Sequence, residues 1–245
     1  FMALKFFNTS SNPILKDSLL EQVQGVSGVT MTSSGAVNKS IILGLILLAT
    51  AIVSWMFPST MFLWPAAIIG FVLVLMASFK KEWSGIIAPI YAAIEGLFVG
   101  TISLVYASAF NGIVFQATTL TIAILFLMLF LYKSGLIKVT NKLRSVIMIG
   151  TGAIALTYLV SMVLSFFNIQ IPMIHSTGML GIGFSLVVIV IASLNLLLDF
   201  DFFEKGEQAG LPSYMEWFAA MGLIITLVWL YLELLRLLSK FGSKD

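Results

Sequence analysis

Long apolar stretches alternate with short polar segments along most of the chain. After a polar segment, residues 1–39, seven mainly apolar stretches follow one another almost to the end of the sequence. A helix needs about 20 mostly apolar residues to cross a bilayer. The pattern therefore predicts seven membrane-spanning helices: Ser40–Phe57, Met61–Phe79, Gly85–Ala107, Gly112–Tyr132, Ser145–Phe167, Met173–Leu198 and one within Tyr214–Leu238.

The interiors of these stretches lack the strict alternation of apolar and polar residues that barrel strands show. Composition agrees with a membrane protein, because 60% of the residues are hydrophobic and only 10% are charged, against about 25% charged in soluble domains. We therefore predict an all-α integral membrane protein. Residues 40–245 are predicted to form a seven-helix transmembrane domain, and residues 1–39 a polar cytoplasmic arm with a helical turn at Pro13–Gln24.

Positive charges in the loops predict the orientation, because cytoplasmic loops carry an excess of Lys and Arg. The loops after the second and fourth predicted helices are basic (Lys80, Lys81, Lys133, Lys138, Lys142, Arg144), whereas the loops at 58–60, 108–111 and 168–172 contain no Lys or Arg. The N-terminus is thus expected in the cytoplasm. A seventh full crossing places the basic tail outside, against the rule, so the last helix either crosses anyway or is re-entrant.

The remaining composition excludes several classes of site. Cysteine is absent and His175, the single histidine, is expected at the membrane interface; thiolate metal sites, disulfides and most histidine-dependent triads are therefore excluded. No phosphate loop or catalytic motif occurs, so no resident cofactor and no enzyme are expected, an intramembrane acid-type hydrolase being the weaker alternative. The net charge of +2 gives no reason to expect nucleic acid, and the expected surroundings are a lipid bilayer.

Carboxylates in the last third of the chain are the first candidates for function, because an ionisable group inside a span costs at least ~2.5 kcal/mol. Asp199 and Asn195 are four residues apart and share one helix face, which predicts a hydrated or protein-lined track. Glu216 follows after a short turn, near the same membrane face. An Asp199–Glu216 pair would titrate as a unit and offer oxygen ligands to a divalent cation. Alternatively, Glu216 closes a capping box with Ser213.

Three further acidic residues and two glycines lie within or next to the predicted helices. Glu95 lies about 20 Å beyond the preceding basic loop at ~1.5 Å rise per residue, so it is expected to have a functional role or a buried hydrogen bond. Asp201 is expected to be a hydrated interfacial acid facing the loop. Glu233 is expected to pair with Arg236, three residues later. The small residues Gly96 and Gly100 predict a tight helix contact.

Several segments resemble the Bax-inhibitor family, in particular its bacterial YccA-type branch. The sixth predicted helix ends in LNLLLDFDFFEKG, where the family has an aspartate after an apolar run, and the last ends in TLVWLYLELLRLLSKFG. SSNPILKD and MEWFAAMGL are similar to the long-armed bacterial subgroup. The resemblance implies a bundle of six helices around a central C-terminal helix, in the bacterial inner membrane.

The resemblance also implies a function. Members of the family are linked to a pH-sensitive calcium leak, which an aspartate pair between the sixth and seventh helices shuts together with a basic residue after the second helix. Asp199 matches the first aspartate, Lys80 falls where the basic residue would be, and Thr226 stands where the second aspartate is expected. Glu216 or Glu95 then supplies the second carboxylate, or the latch is absent. Lys80 is otherwise a topology anchor.

The sequence therefore predicts two alternative functions. One is a pH-sensitive Ca²⁺ leak channel or ion-coupled transporter, gated by intramembrane carboxylates, with Ca²⁺ as the permeant ion. The other is a non-transporting regulator that uses the 39-residue arm to bind a membrane partner, such as an ATP-dependent membrane protease.

Overall fold

The computed structural model describes residues 29–57, 63–167, 169, 171, 174 and 176–242. These residues contain no strand and seven α-helices: α1 (Ser33–Met56), α2 (Leu63–Phe79), α3 (Ser84–Ala109), α4 (Ile113–Lys133), α5 (Asn141–Ser165), α6 (Met179–Gln208) and α7 (Met215–Gly242). The all-helical prediction is confirmed. The predictions for Pro13–Gln24 and His175 fall outside the described residues.

Six of the helices are long and apolar enough to cross a membrane. The exception is α2, whose 17 residues extend about 26 Å at ~1.5 Å per residue, slightly less than the ~30 Å hydrocarbon core. The last helix, α7, continues without a break over 28 residues. Its length suits a full crossing better than a re-entrant segment, which must turn back within the bilayer.

Two helix ends differ from the prediction by seven residues or more. α1 begins at Ser33, seven residues early, because the Thr32 side chain accepts a hydrogen bond from the Gly35 amide and caps the first turn. α6 runs to Gln208, ten residues beyond the predicted end, because Phe200 and Phe203 are buried and continue its apolar face. It stops where Gly210 adopts a positive φ of 63° just before Pro212. Asp199 and Asp201 therefore lie inside a helix.

The most buried helix is α7, with 61% of its apolar stretch buried against 17% for α1, α4 and α5. It packs against α1, α3, α4 and α6. The α1–α3 contact is close, because a methyl group added at Gly96 or Gly100 would overlap the backbone of Leu47 or Ala51. The predicted role of these two glycines in tight packing is confirmed.

Candidate functional site

Asp199 lies at the interface between α6 and α7. The Thr226 hydroxyl of α7 is within hydrogen-bonding reach of its carboxylate and donates to the Gly222 carbonyl oxygen at 3.2 Å. Gly222, one turn earlier, gives the carboxylate room, since a β-carbon there would be 3.8 Å from Oδ1. Oδ2 is shielded from solvent and has no hydrogen-bond partner among the described residues. Asp199 is thus a carboxyl group with one oxygen left unsatisfied in the helix interface.

Thr226 is the residue that the family pattern places at the second aspartate, and the structure brings it to Asp199. The site therefore keeps the pairing of the sixth and seventh helices that the resemblance implies. A threonine hydroxyl therefore stands where the resemblance implies a second carboxylate. Thr226 hydrogen-bonds with Asp199 without adding a charge or a second titrating group.

Glu216 has its partners on the N-terminal side of the chain. Its carboxylate accepts hydrogen bonds from the Thr32 amide (2.8 Å) and the Thr32 hydroxyl (3.0 Å), and it forms an ion pair with Lys39 of α1. The predicted capping box is wrong, because the Ser213 amide donates to the Val29 carbonyl oxygen instead. A charged partner and two further hydrogen-bond donors stabilise the carboxylate more than the single backbone amide of a capping box would.

These bonds fix a short segment, Val29–Ser33, which we call the N-terminal strap. Met31 is only 1% exposed, and its amide donates to the Leu211 carbonyl oxygen at 2.6 Å. Thr30 forms a β-bridge with Pro212. The strap therefore covers the turn between α6 and α7, and Glu216 holds it in place.

Asp201 corrects the sequence prediction. It was expected to be a hydrated acid facing the loop, but it is 6% exposed and forms ion pairs with Arg144 of α5 and Lys205 of α6. The error has a simple cause: α6 continues past Leu198, so the side chain points to α5 instead of into a loop.

Asn195 and Glu95 lie in separate surroundings. Asn195 donates to the Thr151 hydroxyl of α5 at 2.8 Å and to the Ile191 carbonyl oxygen at 2.9 Å, so its amide joins α6 to α5. Glu95 of α3 hydrogen-bonds with Tyr91 and faces α2, where Gly70 leaves room for its Oε2.

Lys80 is exposed just after the end of α2. The described residues contain no group of three or more His, Cys, Asp or Glu side chains able to hold a metal ion.

The predicted pair of Glu233 and Arg236 is confirmed at 2.7 Å. The structure adds Tyr158 of α5, whose hydroxyl donates to Glu233 at 2.7 Å and accepts from Arg236. It also adds Lys240, a buried cation that donates to the Gly181 carbonyl oxygen (2.8 Å) and the Ser185 hydroxyl (2.9 Å) of α6. In the sequence, the phenolic hydroxyl group of Tyr158 within an apolar helix is the one feature that indicates a buried hydrogen bond.

Comparison with known families agrees with this architecture. A family model described as Bax inhibitor 1 like matches residues 12–243, nearly the whole chain. A search of the curated proteins finds no match. The match covers all seven helices and both residues of the α6–α7 contact. The chain therefore belongs to the Bax inhibitor 1 like family of multi-pass membrane proteins.

Proposed function

We propose that the protein is a pH-sensitive cation leak pathway, with Ca²⁺ as the permeant ion, and that protonation of Asp199 gates it. The observation that carries the proposal is the Asp199 carboxyl group itself, which lies between α6 and α7 with one oxygen unpartnered among the described residues. We place the protein in the YccA-type branch and in the bacterial inner membrane, with its N-terminus in the cytoplasm.

The two protonation states of Asp199 have different needs. A neutral carboxyl group fits this helix interface, because it can donate a hydrogen bond to the Thr226 hydroxyl. An ionised carboxylate needs water or a cation beside its second oxygen, because an unpaired charge is costly in an apolar interior. Ionisation therefore favours a state in which α6 and α7 separate enough to admit water and a hydrated cation.

The helix arrangement supports this mechanism. We propose that α7 is the central helix of the bundle and that the other six surround it. Its burial and its contacts with α1, α3, α4 and α6 support that arrangement. A small displacement of α6 from α7 would then open the interior of the bundle instead of its lipid-facing surface. No catalytic step is part of this function.

Flux into liposomes tests the proposal. Purified protein is reconstituted around a calcium dye, and Ca²⁺ entry is followed over a range of external pH. Wild type is expected to give a pH-dependent flux, and Asp199→Asn a flux that no longer responds to pH. Glu82→Gln is the control, because it removes an exposed carboxylate that lies just after α2; the pH response should be unchanged. Absence of flux at every pH, or a pH response that survives Asp199→Asn, contradicts the proposal.

The alternative function is a regulator that binds a membrane partner such as an ATP-dependent membrane protease. The strap supports it, because burial of Met31 and the Thr32 contacts with Glu216 hold the strap beside the α6–α7 turn, at the expected cytoplasmic end.

Deletion of residues 3–28, which leaves the strap intact, separates the two functions. A regulator is expected to lose the co-purified protease while its liposome flux is unchanged. Recovery of the same protease with the deleted protein contradicts the regulator, and loss of pH-dependent flux on deletion contradicts a pathway formed by the helices alone.

A further inference from the structure

A cavity of about 380 Å³ lies between α1, α3, α4 and α7. Its walls are nearly all apolar, with Gly44, Leu47 and Ala51 on the α1 side and Ile224, Leu227 and Val228 on the α7 side. The hydroxyl groups at its edge are already engaged: Ser103 and Tyr231 hydrogen-bond with each other at 2.6 Å, Thr118 hydrogen-bonds with Tyr231, and Thr121 donates to the Ala117 carbonyl oxygen. Little in the cavity wall remains to bind water.

The cavity opens sideways. α1 and α4 each pack on α3 and α7, but they form no comparable interface with each other. The residues at this gap, Leu48, Ile52 and Ile122, are 55%, 59% and 48% exposed and also line the cavity. They continue the apolar outer faces of two membrane-length helices. The gap is therefore a crevice whose open side faces the hydrocarbon of the bilayer.

Neither water nor empty space suits this crevice. Its volume equals that of roughly a dozen water molecules in the liquid, but each buried water molecule needs two to four polar partners. An empty apolar void of this size leaves its lining without contacts on one side. Hydrocarbon from the surrounding bilayer satisfies the walls and reaches them directly through the gap.

We propose that the crevice binds one acyl chain of a membrane phospholipid. Its length fits: Gly44 and Trp55, the first and last α1 residues that line it, are about 16 Å apart at ~1.5 Å per residue. Half of a ~30 Å hydrocarbon core is about 15 Å, the depth of one leaflet. The crevice lies toward the C-terminal end of α1 and the N-terminal end of α4, so the chain comes from the leaflet opposite the α6–α7 turn.

Photo-crosslinking tests the proposal. The protein is reconstituted in vesicles of phosphatidylethanolamine and phosphatidylglycerol, doped with a phosphatidylethanolamine that carries a diazirine on its acyl chain. After irradiation, mass spectrometry locates the adducts. Adducts bearing the whole phospholipid are expected on the α7 floor, at Leu227 or Val228, because the crevice leads there from the bilayer.

A matched pair of substitutions completes the test. Gly44→Phe fills the crevice, since a β-carbon at Gly44 meets only Ile224, at 4.0 Å, and the α7 adducts should be lost. Gly152→Phe on α5, where a β-carbon meets nothing within 4 Å, should leave them unchanged. Thr118→Phe fills the crevice from α4 and replaces Gly44→Phe if that variant does not fold.

Three outcomes overturn the proposal. The first is adducts confined to the outer faces of α1 and α4, and the second is α7 adducts that persist in both filled variants. The third is labelling of the α7 floor by a water-soluble reagent instead of the lipid, which identifies an aqueous crevice.

Discussion

Asp199 and Asp201 stand two residues apart on α6, yet their surroundings differ completely. Asp201 has two cationic partners, Arg144 and Lys205. Asp199 has a threonine hydroxyl and one oxygen without a partner among the described residues. A carboxylate held between two cations stabilises one arrangement of the helices, whereas a carboxyl group without a counter-charge stabilises different arrangements in its two protonation states. The difference separates a structural acid from a candidate switch.

Replacing Asp201 should have the largest effect on stability. Asp201→Asn leaves Arg144 and Lys205 without their counter-ion and should lower the free energy of unfolding by about 2–3 kcal/mol, less than for a fully buried pair because both cations are partly exposed. Asp199→Asn should change it by less than about 1 kcal/mol, because no charged partner is lost. Thermal unfolding in detergent micelles measures both. Equal destabilisation by the two substitutions would remove the distinction between these acids.

Glu233 extends the comparison to the other end of α7. It is 2% exposed; its Oε1 bonds to Arg236 and Tyr158, whereas its Oε2 has no partner among the described residues. Because Glu233, unlike Asp199, is paired with a cation, it should behave like Asp201. Glu233→Gln should cost about 2 kcal/mol, less than Asp201→Asn because only one cation loses its partner. The pH response of flux should be unaltered. A pH response that disappears with Glu233→Gln while stability is retained would make Glu233 a second switch.

The Glu216–Lys39 pair should have a smaller effect. Lys39 is partly exposed, so Lys39→Gln should lower the free energy of unfolding by about 1 kcal/mol. The strap should then detach more often, and limited proteolysis should cut within Val29–Ser33 faster than in wild type. Lys138→Gln, a change of the same kind on the α4–α5 loop, is the control. Unchanged cleavage would show that the Thr32 contacts hold the strap without the ion pair.

Much of the fold could be predicted from the sequence, because apolar runs of about 20 residues have few alternatives to helices in a bilayer. The sequence predicts all seven helices. It also predicts the tight contact that Gly96 and Gly100 make with another helix and the pair of Glu233 and Arg236, because both features depend on the spacing of residues within one helix. The match to the Bax inhibitor 1 like family confirms the resemblance to the family, and the YccA-type branch stays a prediction.

The partners of acids on different helices were harder to predict. Asp201 was misplaced because the buried aromatic residues Phe200 and Phe203 extend α6 past its apolar run. The sequence predicts for Glu216 either a local cap or a pair with Asp199, whereas its partners Thr32 and Lys39 lie far away in sequence. Such contacts depend on how each helix is rotated about its axis relative to its neighbours. The spacing of apolar residues in a single sequence does not determine that rotation. The proximity of Thr226 to Asp199 could be expected only from the resemblance to the family, which places Thr226 at the position of the second aspartate.

The number of protons that control the flux tests the central claim most directly. With a threonine opposite Asp199, the pH dependence of wild-type Ca²⁺ flux should fit the titration of one group. Thr226→Asp should convert it to a coupled two-proton curve, while the neutral variant Thr226→Asn keeps a one-proton curve and Asp199→Asn gives none. A wild-type curve that requires two protons, or a Thr226→Asp curve identical to that of Thr226→Asn, would contradict a lone Asp199 switch between α6 and α7.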